Sequence, residues 1–458
     1  MEFVALAALS LAGTWLALPL GRSAGIALLG RLGQGYLAGA LLAGFVASLF
    51  ERFGVTVYAW PLFIAVALAA AAAIVREIRH GPVPPTRRRP IGLVMPLFLV
   101  VALAHFALAW LETGDRAPFP WDAWTTWLYR ARAWFLEPGV AFAPVTDGTA
   151  TGPLEVGGAR YPAAIPGLVT WLARLGGDWS WPRVLAAWPC AYLAAMLAFA
   201  AFADHALYSR RIAGVAAAIL ASTPLLATHA QLAGYADLWA FGALLLALAA
   251  AFEWRRTGRW DARILVLLVL PLATKVEGVV WLALLASAVS LVARPRLFGP
   301  IVLIGALALA GAAFAWPGGI ELMEGRLVLN NELVRIPYLG ETPLDVNPLL
   351  QPLARATLLG GSFGVTMWAV LAAIPCALLL RGAALARHGT DREAWRIVAL
   401  FGLLSAAFVL ALFAFTIAGR WALDQTALGR VAMQLLPAWV LAAARVFEPL
   451  DPTARARR

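Results

Sequence analysis

Apolar runs long enough to cross a lipid bilayer recur along most of the chain, and they constrain its fold more than any other feature. A membrane-spanning helix needs about 20 mainly apolar residues. Of the 458 residues, 62% are hydrophobic and 13% are charged, with a mean hydropathy of +0.79. A soluble domain does not have enough interior to bury so much apolar surface. The sequence therefore predicts an all-α polytopic membrane protein.

The apolar runs divide into 13 expected spans, with the N-terminal residue on the outer side of the membrane. A charged break at 274–278 splits one long run into two helices that are each too short to cross directly. These two helices are expected to tilt, to thin the bilayer or to re-enter it. The spans lie near residues 3–20, 34–50, 55–75, 91–111, 182–203, 212–229, 236–252, 262–273, 278–293, 297–316, 362–380, 397–418 and 433–447.

The distribution of charge sets the expected orientation. The segment 76–90 is basic and rich in proline, which is typical of a cytoplasmic loop. With that loop inside, the inner segments hold most of the Lys and Arg residues, and the outer segments hold most of the Asp and Glu residues. The positive-inside rule thus accounts for the net charge of +11 without a nucleic-acid partner. Two long loops, 112–181 and 317–360, then lie outside and are expected to carry amphipathic helices.

The first long loop contains a stretch, 119–135, that combines four Trp residues with charged side chains. A helix from Trp121 would place polar groups on one face with guanidinium groups beside it: Asp122, Thr125, Thr126 and Tyr129, flanked by Arg130 and Arg132. A carboxylate beside guanidinium groups at a membrane surface suits chemistry on a phosphate-bearing lipid, and Asp122 would be the base. The alternative is an interfacial helix whose charges only face water, with Asp122 as a favourable charge in its first turn.

Ionisable residues elsewhere interrupt or border apolar runs on the expected outer side. Asp237 follows Tyr235 at the mouth of a span, where it is either a site residue or a helix N-cap. Lys275 and Glu277 share one short break, and ionisable groups at membrane depth are costly unless paired. They indicate either a functional site or a mutual ion pair. All of these residues are expected to meet at one membrane face.

Two arginines, Arg420 and Arg430, bracket the last outer segment, and arginine suits bidentate binding of a phosphate. Tyr161 lies in a proline-rich turn that closes the first long loop. His105 and His229 lie in apolar runs and are expected to be hydrogen-bonded core residues. The five His and two Cys residues lack the spacing of metal ligands, and no P-loop, dinucleotide motif or nucleophile elbow is present.

Taken in order, several short motifs resemble those of a known family. They are W-D-A-W at 121–124, R-A-R at 130–132, Y-P-A-A-I-P at 161–166, G-Y-A-D-L at 234–238, T-K-V-E-G at 274–278, and T-A-L-G-R with Q-L-L-P within 426–437. The ordered set resembles bacterial polytopic glycosyltransferases of the GT-C class, near the protein O-mannosyltransferases and the aminoarabinose transferase of lipid A. The resemblance covers roughly 91–447, which leaves 1–90 as accessory N-terminal spans and 448–458 as a basic cytoplasmic tail.

The resemblance implies a GT-C-like core in the bacterial inner membrane that moves a sugar from a polyprenyl-phosphate donor to a glycan, lipid or protein acceptor at the outer face. Inversion at the sugar is usual in this class. Its catalytic carboxylate maps to Asp122. The implied donor-phosphate ligands are Arg130 and Arg132, with Lys275, Arg420 and Arg430 as further candidates. Tyr129, Tyr161, Tyr235, Asp237 and Glu277 are the expected ligands of sugar or acceptor.

Three questions stay open in the sequence. Many members of the class have paired acidic residues in this loop, whereas Ala123 follows Asp122 here. No cofactor is therefore indicated with certainty, although a divalent metal stays possible. A secondary transporter would instead use Asp237, Lys275 and Glu277 at the bilayer midplane. A lipid-linked glycan ligase or polymerase would share the outer-face chemistry.

Overall fold

The computed structural model is built mainly of helices. It describes residues 1–21, 24–80, 94–143, 154–155, 158–294, 296, 320–322, 325–329, 333–336, 340–379 and 390–451. Its α-helices are α1 Glu2–Ala12, α2 Ala24–Arg52, α3 Ala59–His80, α4 Val94–Asp115, α5 Leu128–Leu136, α6 Ala164–Gly176, α7 Trp181–Leu185, α8 Ala187–Ala206, α9 Arg210–Ala221, α10 Pro224–Leu232, α11 Asp237–Thr257, α12 Ala262–Val269, α13 Glu277–Ala293, α14 Leu350–Ala354, α15 Val365–Leu379, α16 Thr390–Phe415, α17 Gly419–Leu423 and α18 Leu428–Phe447.

Within the described residues, seven helices are long and apolar enough to cross a bilayer. They are Gly25–Arg52, Ala59–Arg76, Val94–Asp115, Trp181–Ala206, Asp237–Thr257, Asp391–Phe415 and Leu428–Leu450. A further pair, α9 and α10, passes only together and is bent by 49°. The bend falls where Pro224, which lacks a backbone N–H, opens α10. The expected membrane-spanning helical fold is therefore found.

Among the residues that the structure describes, fewer than the expected 13 spans are long and apolar enough to cross a bilayer. Four of the expected spans correspond to shorter apolar helices, Phe3–Trp15, Ala262–Ala273, Glu277–Ala293 and Val365–Ala377. Each falls below the ~20 residues that cross a bilayer without tilt. The expected span 297–316 lies outside the described residues.

The N-terminal spans pack directly against the rest of the molecule. The Tyr36 hydroxyl on α2 donates to the carbonyl of Ala187 at 3.1 Å, at the start of α8. Glu51, near the end of α2, is fully buried and pairs with Arg174 on α6. Close approach is possible because a Cβ on Gly44 would lie only 2.1 Å from the Ala164 carbonyl oxygen. Side chains of α1, α2 and α3 thus belong to the same hydrophobic core as the later helices.

The two long loops differ in structure. The first begins its helix at Trp121, as expected, but the helix widens into a π-helical turn over Ala123–Trp127 before α5. Two strands of two residues each, β1 Phe142–Ala143 and β2 Leu154–Glu155, then pair in parallel before α6.

In the second loop the expected amphipathic helices are not confirmed, and strands are present. Four short antiparallel strands precede α14: β3 Ile320–Leu322, β4 Gly325–Leu329, β5 Leu333–Ile336 and β6 Gly340–Pro343. Val328 pairs with Arg335 and Val334 with Thr342. Each of the four strands contains at least one β-branched residue, a type that is enriched in strands.

Candidate functional site

Asp237 is the centre of a buried polar cluster at the start of α11. Its side chain is fully buried and accepts hydrogen bonds on both oxygens. Oδ1 accepts from Lys275 Nζ at 3.0 Å and from Gln434 Nε2 at 2.7 Å. Oδ2 accepts from Arg430 Nε at 3.0 Å and from its Nη2 at 2.7 Å. Asp237 therefore joins three segments that are distant in sequence and is not simply the cap of its own helix.

Arg430, in the first turn of α18, extends the cluster to the first loop. Its Nη2 also donates to Asp122 Oδ2, a residue 308 positions away. The Asp122 side chain keeps 31% of its surface exposed, and that of Arg430 keeps 21%. Asp122 makes no capping hydrogen bond to its own helix. Asp122 is therefore more than a favourable charge in the first turn of its helix, because its side chain contacts Arg430.

Lys275 and Glu277 complete the cluster in the break between a short 3-10 turn, Leu270–Ala273, and α13. Lys275 Nζ lies 3.0 Å from Glu277 Oε1, so the expected ion pair within the break forms together with the pair to Asp237. Burial lowers the pKa of Lys275, but the carboxylates of Asp237 and Glu277 outweigh that effect and raise the pKa above its ordinary value. Lys275 is therefore held in its charged form.

Tyr161 and Tyr235 line the cluster with aromatic surface. Lys275 Nζ lies 5.9 Å from the centre of the Tyr161 ring, and the Arg430 guanidinium carbon lies 4.3 Å from that of Tyr235. Burial and the nearby charge of Glu277 raise the pKa of Tyr161 to about 12, so its phenol stays protonated at neutral pH. Both rings add cation–π attraction to the ion pairs.

Arg130 bonds backbone carbonyls next to the site and is not one of the ion-paired residues of the cluster. It is buried, and its Nη1 donates to the carbonyls of Gly158 at 3.3 Å and Tyr161 at 2.9 Å. Burial, with the positive charge of Arg52, lowers the pKa of Arg130 to about 10. Its hydrogen bonds hold the loop that carries Tyr161. Its expected contact with a donor phosphate stays a prediction.

The other predicted ligands lie outside this cluster of ion pairs. Arg132 is exposed, with its guanidinium 5.8 Å from the centre of the Trp181 ring. Tyr129 is 39% exposed, and Arg420 is exposed on the short helix α17. They remain candidates for ligand contacts only because they are accessible.

Sequence reasoning missed Gln434 and Trp281. Gln434 is fully buried, and its Oε1 accepts from Trp281 Nε1 at 2.8 Å while its amide nitrogen donates to Asp237. One signal pointed to it: Gln434 follows Arg430 by four residues, which places both side chains on one face of a helix. His229 was expected to be a hydrogen-bonded core residue, and it is buried and bonds the Leu225 carbonyl. Its closeness to this site was not foreseen.

A strained turn precedes Asp237 and positions it in the cluster. Ala233 has φ +40° and Gly234 has φ +97°, and non-glycine residues rarely adopt such values. A Cβ on Gly234 would lie 2.5 Å from the Cβ of Ala123, the neighbour of Asp122. The glycine therefore lets the Asp122 and Asp237 segments approach each other.

We expect Gly234→Ala to destabilise the protein and to disturb the Asp122–Arg430 contact. The backbone strain alone costs about 1–3 kcal/mol, and the clash with Ala123 adds to it. Gly177→Ala is the matched control, because Gly177 also has positive φ (+78°) but has open space around its Cβ position. Thermal unfolding of both variants in detergent measures the difference, and an equal loss of stability would contradict the close-approach argument.

No group of three or more His, Cys, Asp or Glu side chains suited to a metal ion occurs among the residues that the structure describes. Comparisons of this chain with protein-family models, with curated proteins and with solved structures find no match.

Proposed function

We propose that this protein is an integral-membrane glycosyltransferase of the GT-C type. In this proposal it moves a sugar from a polyprenyl-phosphate donor to a hydroxyl or amine acceptor at the outer face of the bacterial inner membrane. The single observation that carries it is the connected network of Asp122, Arg430, Asp237, Lys275 and Glu277. Such a network combines a partly exposed carboxylate with cations, which is what proton removal and phosphate departure require.

The position of the charges along the helices supports transfer over transport. Asp237 opens α11, and the next charged residue on that helix, Glu253, lies roughly 24 Å further along at 1.5 Å per residue. Arg430 similarly lies in the first turn of α18, and the next charge is Arg445. The network thus lies at the ends of two spans, whereas a transporter site is expected near their middle.

The surroundings of Asp122 are also consistent with an interfacial site. Phe119 is 83% exposed and Trp121 is 77% exposed, directly before the π-helical turn that follows Asp122. Exposed aromatic side chains are enriched where a protein meets the headgroup region of a bilayer. A donor with a lipid tail in the membrane would present its phosphate at this level.

In the proposed reaction the acceptor oxygen or nitrogen attacks the anomeric carbon of the donor sugar. A new bond from that carbon to the acceptor forms as the carbon–oxygen bond to the phosphate breaks, with inversion. The electron pair of the broken bond stays on the leaving polyprenyl phosphate. The acceptor proton passes to the carboxylate of Asp122, which is partly exposed and contacts Arg430.

The cations have separate tasks in this proposal. Arg430 holds Asp122 in place and keeps enough exposed surface to meet the leaving phosphate. Lys275 is buried against Asp237 and Glu277, and it fixes those carboxylates near the sugar. The exposed Arg132 and Arg420 are the remaining candidates for the phosphate, since guanidinium groups bind it through paired hydrogen bonds.

Reconstitution of the purified protein in liposomes tests the proposal. The liposomes contain synthetic polyprenyl phosphates that each carry one labelled hexose or pentose, together with a membrane extract as the source of acceptors. We expect transfer of label to an acceptor with release of polyprenyl phosphate. Protein-dependent flux of a free sugar or ion across the same vesicles, without transfer from any donor, would favour the transporter instead.

A further inference from the structure

His229 has a ring nitrogen without a partner beside the network. Its side chain is only 3% exposed, and Nδ1 lies 2.9 Å from the carbonyl oxygen of Leu225. A carbonyl oxygen can only accept, so Nδ1 carries the proton of the neutral ring. Nε2 is then a bare acceptor, and it has no hydrogen-bond partner among the residues that the structure describes.

This nitrogen belongs to a ring that lies next to the ion pairs. The His229 ring packs against the Tyr235 ring with centroids 5.0 Å apart, and Tyr235 in turn contacts Arg430. The charges of Asp237, Arg430 and Lys275 all act on His229. The strained turn at Ala233 and Gly234 leads the chain from the helix of His229 directly back to Asp237.

None of the hydrogen bonds that the structure describes within the network reaches this nitrogen. Lys275 donates to Asp237 and Glu277, Gln434 donates to Asp237, and Arg430 donates to Asp237 and Asp122. A buried acceptor is normally satisfied, because leaving it unpaired forfeits its hydration without replacement. A donor group on a bound ligand would supply the missing hydrogen bond.

We propose that Nε2 of His229 accepts a hydrogen bond from a carbohydrate hydroxyl group bound at this site. The proposal rests on the proposed function, since that function brings a carbohydrate here. The hydroxyl belongs either to the sugar on the donor or to a glycan acceptor. In this role His229 orients the carbohydrate beside Asp237 and takes no proton, so it is a substrate-binding residue.

Two variants test the hydrogen bond. His229→Phe keeps a planar ring but removes the acceptor, whereas His229→Gln retains an amide oxygen at a similar reach. We expect His229→Phe to raise KM at least tenfold for the partner that carries the hydroxyl, and His229→Gln to recover part of that loss. A rise in KM for the donor assigns the hydroxyl to its sugar, and a rise for the acceptor assigns it to the acceptor.

His105→Phe is the matched control, because His105 also bonds a backbone carbonyl, that of Ala221, but contacts none of the ion pairs. Binding of sugar-free polyprenyl phosphate is a second control and is expected to be unchanged by His229→Phe. An unchanged KM for both partners would overturn the proposal. So would an equal loss of binding for sugar-bearing and sugar-free lipid, because that result indicates a structural role or a bound water.

The design separates this inference from the proposed function. If the wild-type protein transfers no sugar from any donor, the proposed function fails, and ligand-induced thermal stabilisation replaces KM as the readout. Sugar-bearing polyprenyl phosphate that stabilises the wild-type protein more than His229→Phe would still support the hydrogen bond. Equal stabilisation of both proteins, or of neither, would overturn it.

Discussion

Asp122→Asn is expected to lower the rate of sugar transfer by about 10²–10⁴-fold, the range that general-base catalysis typically contributes. The amide keeps the size of the side chain and an oxygen that can still accept from Arg430. It has no lone pair basic enough to take the proton of the acceptor. The loss should therefore fall on kcat, with little change in the KM of the donor or in the thermal stability of the protein.

The matched control for this variant is Asp115→Asn. Asp115 is an exposed carboxylate at the end of α4 that takes no part in the cluster. It undergoes the same chemical change only a few residues earlier in the chain. Transfer kinetics measured in liposomes with both variants decide the matter. If Asp122→Asn transfers sugar as fast as Asp115→Asn does, Asp122 is not the base.

Asp237→Ala is expected to destabilise the protein by about 3–5 kcal/mol, the usual cost of removing one partner from a buried ion pair. Asp237 is fully buried and accepts from Lys275, Arg430 and Gln434. Without it, Lys275 keeps only the partly exposed Glu277 as a counter-charge. Titration of the detergent-solubilised protein with denaturant measures the loss of unfolding free energy.

A double-mutant cycle shows whether the loss of stability arises because Lys275 is left buried without the Asp237 carboxylate. Lys275→Met removes the ammonium group but keeps a side chain of similar volume. If Lys275 and Asp237 stabilise each other, the double variant Asp237→Ala with Lys275→Met loses less stability than the two single losses combined. The expected coupling is about 0.5–3 kcal/mol, the range found for residues in one ion-pair network. Strict additivity would contradict the electrostatic account.

The composition of the candidate site could be predicted in part because charge is rare in this sequence. Ionisable residues next to apolar runs are costly unless they meet partners. The orientation rule placed Asp122, Asp237, Lys275, Glu277 and Arg430 on one face, and the structure joins them through direct contacts. The sequence could not distinguish Arg130 from Arg430, because the two have identical chemistry. Their difference lies in which groups surround each side chain after folding.

What the sequence by itself determined is that the chain lies in a bilayer as packed helices, since its long apolar runs have no other stable environment. Only the tertiary structure decided which polar side chains meet. The position of Gln434 beside Asp237, the unpaired nitrogen of His229 and the close approach at Gly234 all depend on how neighbouring helices pack. Hydropathy gives the depth of a residue in the membrane but not the rotation or the neighbours of its helix, and those are set by contacts between side chains far apart in sequence.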